Sequence, residues 1–119
     1  MNKLRGRMGE ELAAAYLRRK GYEILAAGYH SRYGEIDIVA AKKGIVAFVE
    51  VKLRENGSFA AAMEAVDRHK QEKLRRTALM WIAQNGDALQ PRFDVCEVYM
   101  PAGTDPAKAK ISYMENAFE

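Results

Sequence analysis

The sequence has little of what several common protein classes require. It contains one cysteine, Cys96, among 119 residues, so no internal disulfide can form. No apolar run approaches the roughly 20 residues of a membrane-spanning helix. The N-terminal residues lead into charged positions instead of the apolar segment of a signal peptide. We therefore expect a cytoplasmic protein with no membrane partner, in which Cys96 is a small buried thiol within a strand.

Several signatures of catalysis are also missing. The chain has no P-loop, no dinucleotide-binding glycine motif, no Cys-x-x-Cys pair and no nucleophilic serine motif. Its two histidines, His30 and His69, have no partners at metal-ligand spacing, so we expect both at the surface. The hydrophobic content of 49% and the length of the chain are those of a single domain spanning 1–119.

Hydrophobic periodicity and turn signals predict a helix, three strands, a second helix and one or two further strands. The first helix should end at Lys20-Gly21, a basic residue followed by a C-cap glycine, and the second should begin near Asp67, an N-cap residue. The expected bounds are 4–19 for the first helix, 22–27, 35–41 and 45–53 for three strands, 55–58 for a glycine-bearing loop, 67–84 for the second helix, and 91–100 and 110–114 for the last strands.

The most informative segment is a hairpin whose turn we place at Lys43-Gly44, where glycine supplies the positive φ that such turns need. Counting the ladder outward from this turn places Asp37 opposite Glu50. Like charges that face each other across a ladder are destabilising, since their Cβ atoms are only about 4.5 to 5.5 Å apart. A divalent cation between the two carboxylates would offset that repulsion, so the pair predicts a metal site.

The same register places Glu35 opposite Lys52, one step further along the face that bears Asp37 and Glu50. Both faces of the hairpin are apolar near the turn, which is typical of strands covered on both sides. The charged groups should therefore lie where a buried floor opens into a cleft. The alternative is a half-exposed hairpin with two cross-strand salt bridges, which leaves the facing acids unexplained.

The first helix offers two candidate acids, and periodicity distinguishes them. Glu10 lies at the rim of the apolar stripe that contains Ala13 and Leu17, whereas Glu11 falls on the opposite face. A surface acid stabilised by the helix dipole is the alternative for Glu10. Together with the hairpin, however, Glu10 becomes the expected third acid of the site.

The second helix places polar residues on its inward face. Extending its buried stripe backward by one turn puts Lys70 and Gln71 on the side of the core, with Lys73 at the rim, while Arg75 and Arg76 lie outside and indicate an ordinary charged surface. Polar side chains on an inward face indicate a polar partner or a site on that side of the helix. The alternative for Lys70 is a side chain whose stem covers apolar surface while its ammonium group reaches solvent.

A loop at 29–33 adds aromatic and basic groups directly before the acidic strand. Tyr29, Arg32 and Tyr33 are the residue types of a loop that grips phosphates or stacks on bases. With Lys70 and Lys73 they form our candidate nucleic-acid contacts. A net charge of +3 does not by itself indicate nucleic acid, but the clustering of the cations favours it.

Two resemblances follow from these residues. Asp37 with Glu50-Val51-Lys52 resembles the core of the PD-(D/E)XK nuclease superfamily, whose sheet presents two acids and a lysine around magnesium. The chain is also similar, over nearly its whole length, to the YraN family of small bacterial proteins. The segments that carry this second resemblance are Gly9-Glu10, Gly34-Glu35-Ile36-Asp37, Phe48-Val49-Glu50-Val51-Lys52, Arg92-Phe93-Asp94 and Glu115-Asn116-Ala117-Phe118.

The resemblance implies an α/β, restriction-endonuclease-like fold: a central mixed sheet of four to five strands flanked by helices, in the order αβββαβ(β). It also implies a Mg²⁺ or Mn²⁺ ion held by Asp37, Glu50 and the Val51 carbonyl. Glu10 would complete the ligand set or hold a second ion through water, and Lys52 would assist the attacking water. Glu35, Lys70 and Gln71 would contact these groups and hold them in position without binding the metal themselves.

The expected function is therefore metal-dependent hydrolysis of phosphodiester bonds by an endonuclease, either structure-directed or resolvase-like, with DNA favoured over RNA as the partner. The oligomeric state is left open, a homodimer included. One alternative is a catalytically silent nucleic-acid-binding protein on the same fold. Another is an adaptor protein, which would need an exposed apolar patch around Ile111, Tyr113, Met114 and Phe118.

Overall fold

A computed structural model describes residues 3–55, 66–101, 103 and 105–119 of the chain. Its elements are α1 (Lys3–Arg19), β1 (Glu23–Ser31), β2 (Gly34–Lys42), β3 (Ile45–Arg54), α2 (Arg68–Asn85), β4 (Gln90–Tyr99), a 3₁₀ turn (Pro106–Lys108) and β5 (Lys110–Phe118). The described elements therefore follow the expected order, αβββαββ. The predicted glycine-bearing loop at 55–58 lies, apart from Glu55, outside the described residues.

The five strands form one mixed sheet in the order β1-β2-β3-β4-β5. Strands β3 and β4 are parallel, and the other neighbouring pairs are antiparallel. The parallel pair needs a crossover connection, which contains α2. The sheet confirms the expected α/β architecture. No helix among the residues described here is long and apolar enough to cross a membrane.

Local chemistry explains where the elements begin and end. Lys43 and Gly44 both have positive φ, 49° and 81°, as a type I′ hairpin turn requires. Helix α1 is capped by Gly21, which lies two residues after Arg19 and has a φ of 93°, and the Tyr22 N–H donates to the Leu17 carbonyl across this cap. The predicted hairpin turn and the end of the first helix are thereby confirmed.

Each face of the sheet packs against one helix. On the α1 side the buried cluster includes Ala13, Leu17, Ile38, Val49 and Cys96, and the last of these is the predicted buried thiol. Burial raises the pKa of that thiol to about 12. The covering of both faces explains why the strands of the hairpin are apolar on both sides.

The cluster on the α2 side contains Val39, Phe48, Leu74, Trp81 and Val95. The ring of Phe48 meets Trp81 edge to face, with centroids 5.7 Å apart. Leu74, Ala78 and Trp81 are buried as the predicted stripe of the second helix requires.

A buried polar network holds β5 against β4. The Asp94 carboxylate is fully buried and accepts two hydrogen bonds from Arg92, at 2.9 and 2.8 Å. It also accepts one from the Tyr113 hydroxyl and one from the Asn116 backbone N–H at 2.9 Å. Because the charge is paired and fully hydrogen-bonded, its burial is tolerated. Strand β5 consequently extends to Phe118, beyond the predicted end at 114.

The tail does not form the exposed apolar patch that an adaptor protein would need. The Phe118 ring stacks on Phe93, with centroids 5.0 Å apart, and Tyr113 joins the polar network around Asp94. Ile111 packs against the α1-side cluster. Within the described part of the tail, Met114 is the large apolar residue that is exposed to solvent.

Candidate active site

The candidate site is a cleft of about 400 Å³ between the ends of β2 and β3 and the first turns of α2. Asp67 caps α2 by accepting a hydrogen bond from the Lys70 N–H at 2.9 Å, which fixes where the helix begins. The cleft is lined by Gly34, Glu35, Asp37, Glu50, Asp67, His69, Lys70, Lys73 and Leu74.

The floor of the cleft is formed where strands β2 and β3 separate. The ladder follows the predicted register as far as the pair Ile38–Val49. At the next position the Asp37 carboxylate accepts a hydrogen bond from the Val51 N–H at 2.8 Å, so a side chain takes a backbone donor of β3. Ile36 then packs in the α2-side cluster and Ile38 in the α1-side cluster. The strict alternation of faces is therefore broken at Asp37.

The two carboxylates of the floor repel each other. The pKa of Asp37 is raised to about 7, first by burial and then by the negative charges of Glu50, Glu10 and Glu35, although the bond from Val51 opposes the rise. Glu50 is itself buried. The negative charge of Glu50 therefore acts on Asp37, although the regular ladder between the two strands ends one pair earlier, at Ile38 and Val49.

Two ammonium groups flank Glu50. The Nζ atom of Lys70 lies 2.7 Å from its carboxylate, and that of Lys52 lies 3.4 Å away. Burial, followed by the neighbouring Lys70, lowers the pKa of Lys52. Burial alone would also lower the pKa of Lys70, but contacts with Glu50 and Lys52 raise it above the ordinary value. The inward position predicted for Lys70 therefore brings its ammonium group to an acid of the floor.

Glu10 approaches the site from the other face of the sheet. It is half-buried on α1, and its pKa is raised by burial and by the charges of Glu35 and Glu50. Glu11 is exposed. Both line a second cavity of about 310 Å³ on the α1 side. The charges of the cleft acids therefore act on Glu10, but its side chain lines a different cavity.

Two predicted residues, Glu35 and Gln71, have partners outside the predicted site. Glu35 lies in the wall of the cleft but faces His30, with Oε1 and Nε2 3.7 Å apart, and does not pair with Lys52. Gln71 donates to the Val66 carbonyl at 2.9 Å, which ties it to the start of α2. The predicted pairing of Glu35 with Lys52 is wrong because it assumed a regular ladder beyond Asp37.

The predicted loop at 29–33 is mostly strand, since β1 continues to Ser31 and the turn contains Arg32 and Tyr33. The Tyr29 hydroxyl donates to the Gln84 side chain at 2.7 Å, so this tyrosine is tied to the C-terminal end of α2. Arg32 and Tyr33 lie in a neighbouring cavity with Lys73. The predicted nucleic-acid contacts are therefore divided: Tyr29 lies at the C-terminal end of α2, and Arg32, Tyr33 and Lys73 lie together in the neighbouring cavity.

The donors of the cleft have the chemistry that a hard divalent cation prefers, namely carboxylate oxygens. Asp37 and Glu50 fit such an ion, since its charge would relieve their repulsion. In the part of the chain that the structure describes, no three acidic, histidine or cysteine side chains are close enough to hold a metal together. Val51 meets the site through its N–H, and the ligand roles of its carbonyl and of Glu10 stay predictions.

The sequence pattern missed residues that the fold brings to the cleft. Asp67 was expected only as a cap and His69 only as a surface residue, yet both line the wall. Arg76 was assigned to an ordinary charged surface, but its guanidinium lies 5.5 Å from the centroid of the Tyr33 ring. A helical wheel reports exposure and cannot report which strand turn lies beside an exposed position.

These observations define a class: an α/β protein whose mixed sheet places two carboxylates in one cleft, with two ammonium groups within 3.4 Å of one of them. Residues 9–98 match the family described as "Uncharacterised protein family UPF0102". The chain belongs to this family, which is the YraN family that the sequence resembles.

Relatives from distant bacteria match nearly the whole chain. A UPF0102 protein of Alkaliphilus oremlandii is 45% identical over 121 residues, which cover 99% of this chain and 100% of the relative. One from Caldanaerobacter subterraneus is 44% identical over 95% of this chain and 93% of its own length. One from Nocardia farcinica is 47% identical over 85% of this chain and 80% of its own length. The similarity therefore extends over the whole sheet.

Proposed function

We propose that this protein is a metal-dependent nuclease that hydrolyses phosphodiester bonds. One observation carries the proposal: Asp37 and Glu50 line one cleft together with Lys70, and the Lys52 ammonium group lies 3.4 Å from the Glu50 carboxylate. The sequence resembles the PD-(D/E)XK superfamily by the same pattern. It consists of two acids and a mostly buried lysine, placed where strands β2 and β3 separate. That resemblance supports the reaction class and leaves the substrate to experiment.

Mg²⁺ or Mn²⁺ would be held by the carboxylates of Asp37 and Glu50, with the Val51 carbonyl and Glu10 as further ligands. When bound, such an ion lowers the pKa of water and polarises a phosphoryl oxygen. The raised pKa of Asp37 has a direct consequence for loading. Because the protonated acid is a poor ligand, cation binding should strengthen as the pH rises through about 7.

Lys52 has the environment of a group that handles protons or charge at the reacting phosphate. Its side chain is mostly buried, and its pKa is lowered by that burial and by Lys70. As an amine it accepts a proton from water, and as an ammonium group it stabilises charge that develops on the phosphate. Lys70 holds the Glu50 carboxylate from the side of α2, at 2.7 Å.

The direct test is a cleavage assay with Mg²⁺ or Mn²⁺ on single-stranded, duplex, flap and four-way-junction substrates. We expect the parent protein to cut at least one of them. Asp37→Asn and Glu50→Gln should abolish cleavage, whereas Glu11→Gln, an exposed acid on α1, should retain it. Lys52→Ala should lower turnover with little change in affinity, since its task lies in the transition state. Cleavage that persists in Asp37→Asn would refute the site.

A catalytically silent nucleic-acid-binding protein is the second candidate. The close ion pair between Glu50 and Lys70 favours it, because an ammonium group occupies the side of the carboxylate that a cation would use. This candidate predicts binding without hydrolysis in every metal tested. It also predicts that Glu50→Gln leaves affinity unchanged.

A further inference from the structure

A second cationic site lies beside the carboxylate cleft, built around one tyrosine. Tyr33 belongs to the turn between β1 and β2, and two guanidinium groups lie against its ring. That of Arg32 is 5.0 Å from the ring centroid and also donates to the Tyr33 hydroxyl at 2.9 Å. That of Arg76, from α2, is 5.5 Å from the same centroid. We call the residues Arg32, Tyr33, Lys73 and Arg76 the tyrosine–arginine site.

The charge of this site is not balanced by its neighbours. Its cavity, of about 350 Å³, is lined by Arg32, Tyr33, His69, Glu72, Lys73 and Arg76. Glu72 is the acid in that lining, and it pairs with Arg76 at 3.2 Å. Among the described residues, neither Arg32 nor Lys73 has a carboxylate within ion-pair distance. Three cations against one acid make the cavity a place for an anion.

The turn that carries Arg32 and Tyr33 is fixed against α2. The Ser31 and Thr77 hydroxyl oxygens are 3.0 Å apart and share a hydrogen bond. Gly34 follows the turn with a φ of 154°, a conformation that favours glycine, and its backbone lies beside Lys73 and Thr77 of α2. The cations from the turn and from the helix are therefore held together before any ligand arrives, which lowers the entropic cost of binding.

The tyrosine–arginine site continues the cleft. His69 and Lys73 line both cavities. An extended ligand that lies over Asp37 and Glu50 would therefore reach the cavity of the tyrosine–arginine site without leaving the surface of α2. A polymer with regularly spaced anionic groups has this shape and charge.

We propose that the tyrosine–arginine site binds a backbone phosphate of the nucleic-acid strand whose neighbouring phosphodiester lies in the carboxylate cleft. The proposal rests on the proposed function for the occupant of the cleft. The chemistry favours a phosphate over a base, because two guanidiniums already lie against Tyr33 and its hydroxyl is engaged by Arg32. Guanidinium groups present paired N–H donors that match phosphate oxygens. Recognition of this kind positions a strand and does not read its sequence.

The test is a binding titration across a salt series, in calcium to suppress hydrolysis, with a labelled single-stranded oligonucleotide and the matching duplex. Arg32→Ala/Arg76→Ala should lower affinity about 30-fold at 0.1 M salt, and the log–log salt slope should fall by about 0.7 to 0.9, the value for one phosphate contact. The control Arg19→Ala/Lys108→Ala removes the same charge at exposed positions elsewhere. It should change affinity by less than about threefold.

A third variant tests the proposal in the opposite direction. Glu72→Gln removes the acid that competes for Arg76, so it should tighten binding severalfold. Its advantage is a gain of affinity, which a damaged fold cannot produce. Thermal melts should show that all variants are folded, because the exposed side chains of Arg32, Glu72 and Arg76 contribute little packing.

Several results would overturn the proposal: an unchanged salt slope in Arg32→Ala/Arg76→Ala, an equal loss in the control, or no gain in Glu72→Gln. Inorganic phosphate that competes as well as the oligonucleotide at equal phosphate concentration would do the same, since it would leave no role for a strand. The outcomes also separate the two proposals. Specific loss of binding without hydrolysis by the parent keeps this site and removes the nuclease, whereas hydrolysis with unchanged affinity does the reverse.

Discussion

Asp37→Asn should make the protein more stable at pH 8 and remove part of its pH dependence. The pKa of Asp37 in the folded chain is about 7, compared with an ordinary value of 3.8. Between these values the folded chain binds more protons than the unfolded chain. The associated stability is therefore fully present below about pH 4 and is lost as the pH rises to about 7. An asparagine stays neutral throughout this range.

The size of the effect follows from the same numbers. A difference of about three pKa units, at 1.36 kcal/mol for each, corresponds to about 4 kcal/mol at pH 8. For a domain of this length, that free energy raises the melting temperature by about 15 °C. The backbone contact is kept, because the amide oxygen of asparagine still accepts the hydrogen bond from the Val51 N–H.

Thermal melts of parent and variant at pH 5 and pH 8, in chelator, measure this difference. Asp94→Asn is the matched control, since it makes the same change at a buried carboxylate that is paired. Asp94 accepts both bonds from Arg92, and the loss of its charge leaves that guanidinium with only the exposed Glu115, 3.6 Å away, as an ion-pair partner. We expect it to cost about 3 kcal/mol at both pH values.

The reasoning would be refuted if Asp37→Asn melted at or below the parent at pH 8. Such a result would mean that the folded protein stabilises the Asp37 anion, in contrast to the repulsion from Glu50 that raises its pKa. A stabilising effect of equal size at pH 5 and pH 8 would also contradict it, because proton linkage requires the gain to grow with pH.

Three further predictions concern single positions. Gly34→Ala should destabilise the protein by about 1 to 3 kcal/mol in urea unfolding, because the φ of Gly34 is 154°. Gly6→Ala should instead stabilise it by about 0.5 to 1 kcal/mol, because Gly6 lies inside α1 with open space around a Cβ. Glu10→Gln should reduce the pH dependence of stability between pH 5 and pH 8, since burial raises the pKa of Glu10, while Glu11→Gln, at an exposed position, is the control. Lys70→Met should lower the melting temperature in chelator by a few degrees, and added Mg²⁺ should restore it; no recovery would argue against a cation at the carboxylates.

The elements with strong local signals could be predicted from the sequence. The glycines that end α1 and form the β2–β3 turn, and Asp67 at the start of α2, determine the boundaries through their own backbone or capping geometry. The hairpin register follows from the turn alone. This register predicts Asp37 and Glu50 close together, and both residues line the same cleft.

What could not be predicted depends on contacts between distant segments. Glu35 was assigned by extending a two-residue period, and that period fails where Asp37 takes the Val51 N–H. The last strand was expected to be short because its pairing depends on Asp94, a residue in another strand. Arg76 has no local signal at all, since its neighbour Tyr33 is far away in the chain.

The polar network between β4 and β5 has a consequence for how the chain matures on the ribosome. Asp94 is synthesised before the residues that bury it, and the Asn116 N–H follows 22 residues later. At bacterial or eukaryotic elongation rates of about 5 to 20 residues per second, the carboxylate waits roughly one to four seconds for this partner. Until then the parallel pair β3–β4 has an open edge, and nascent chains are exposed to pairing with one another. The last strand thus closes the sheet and ends the interval of greatest aggregation risk.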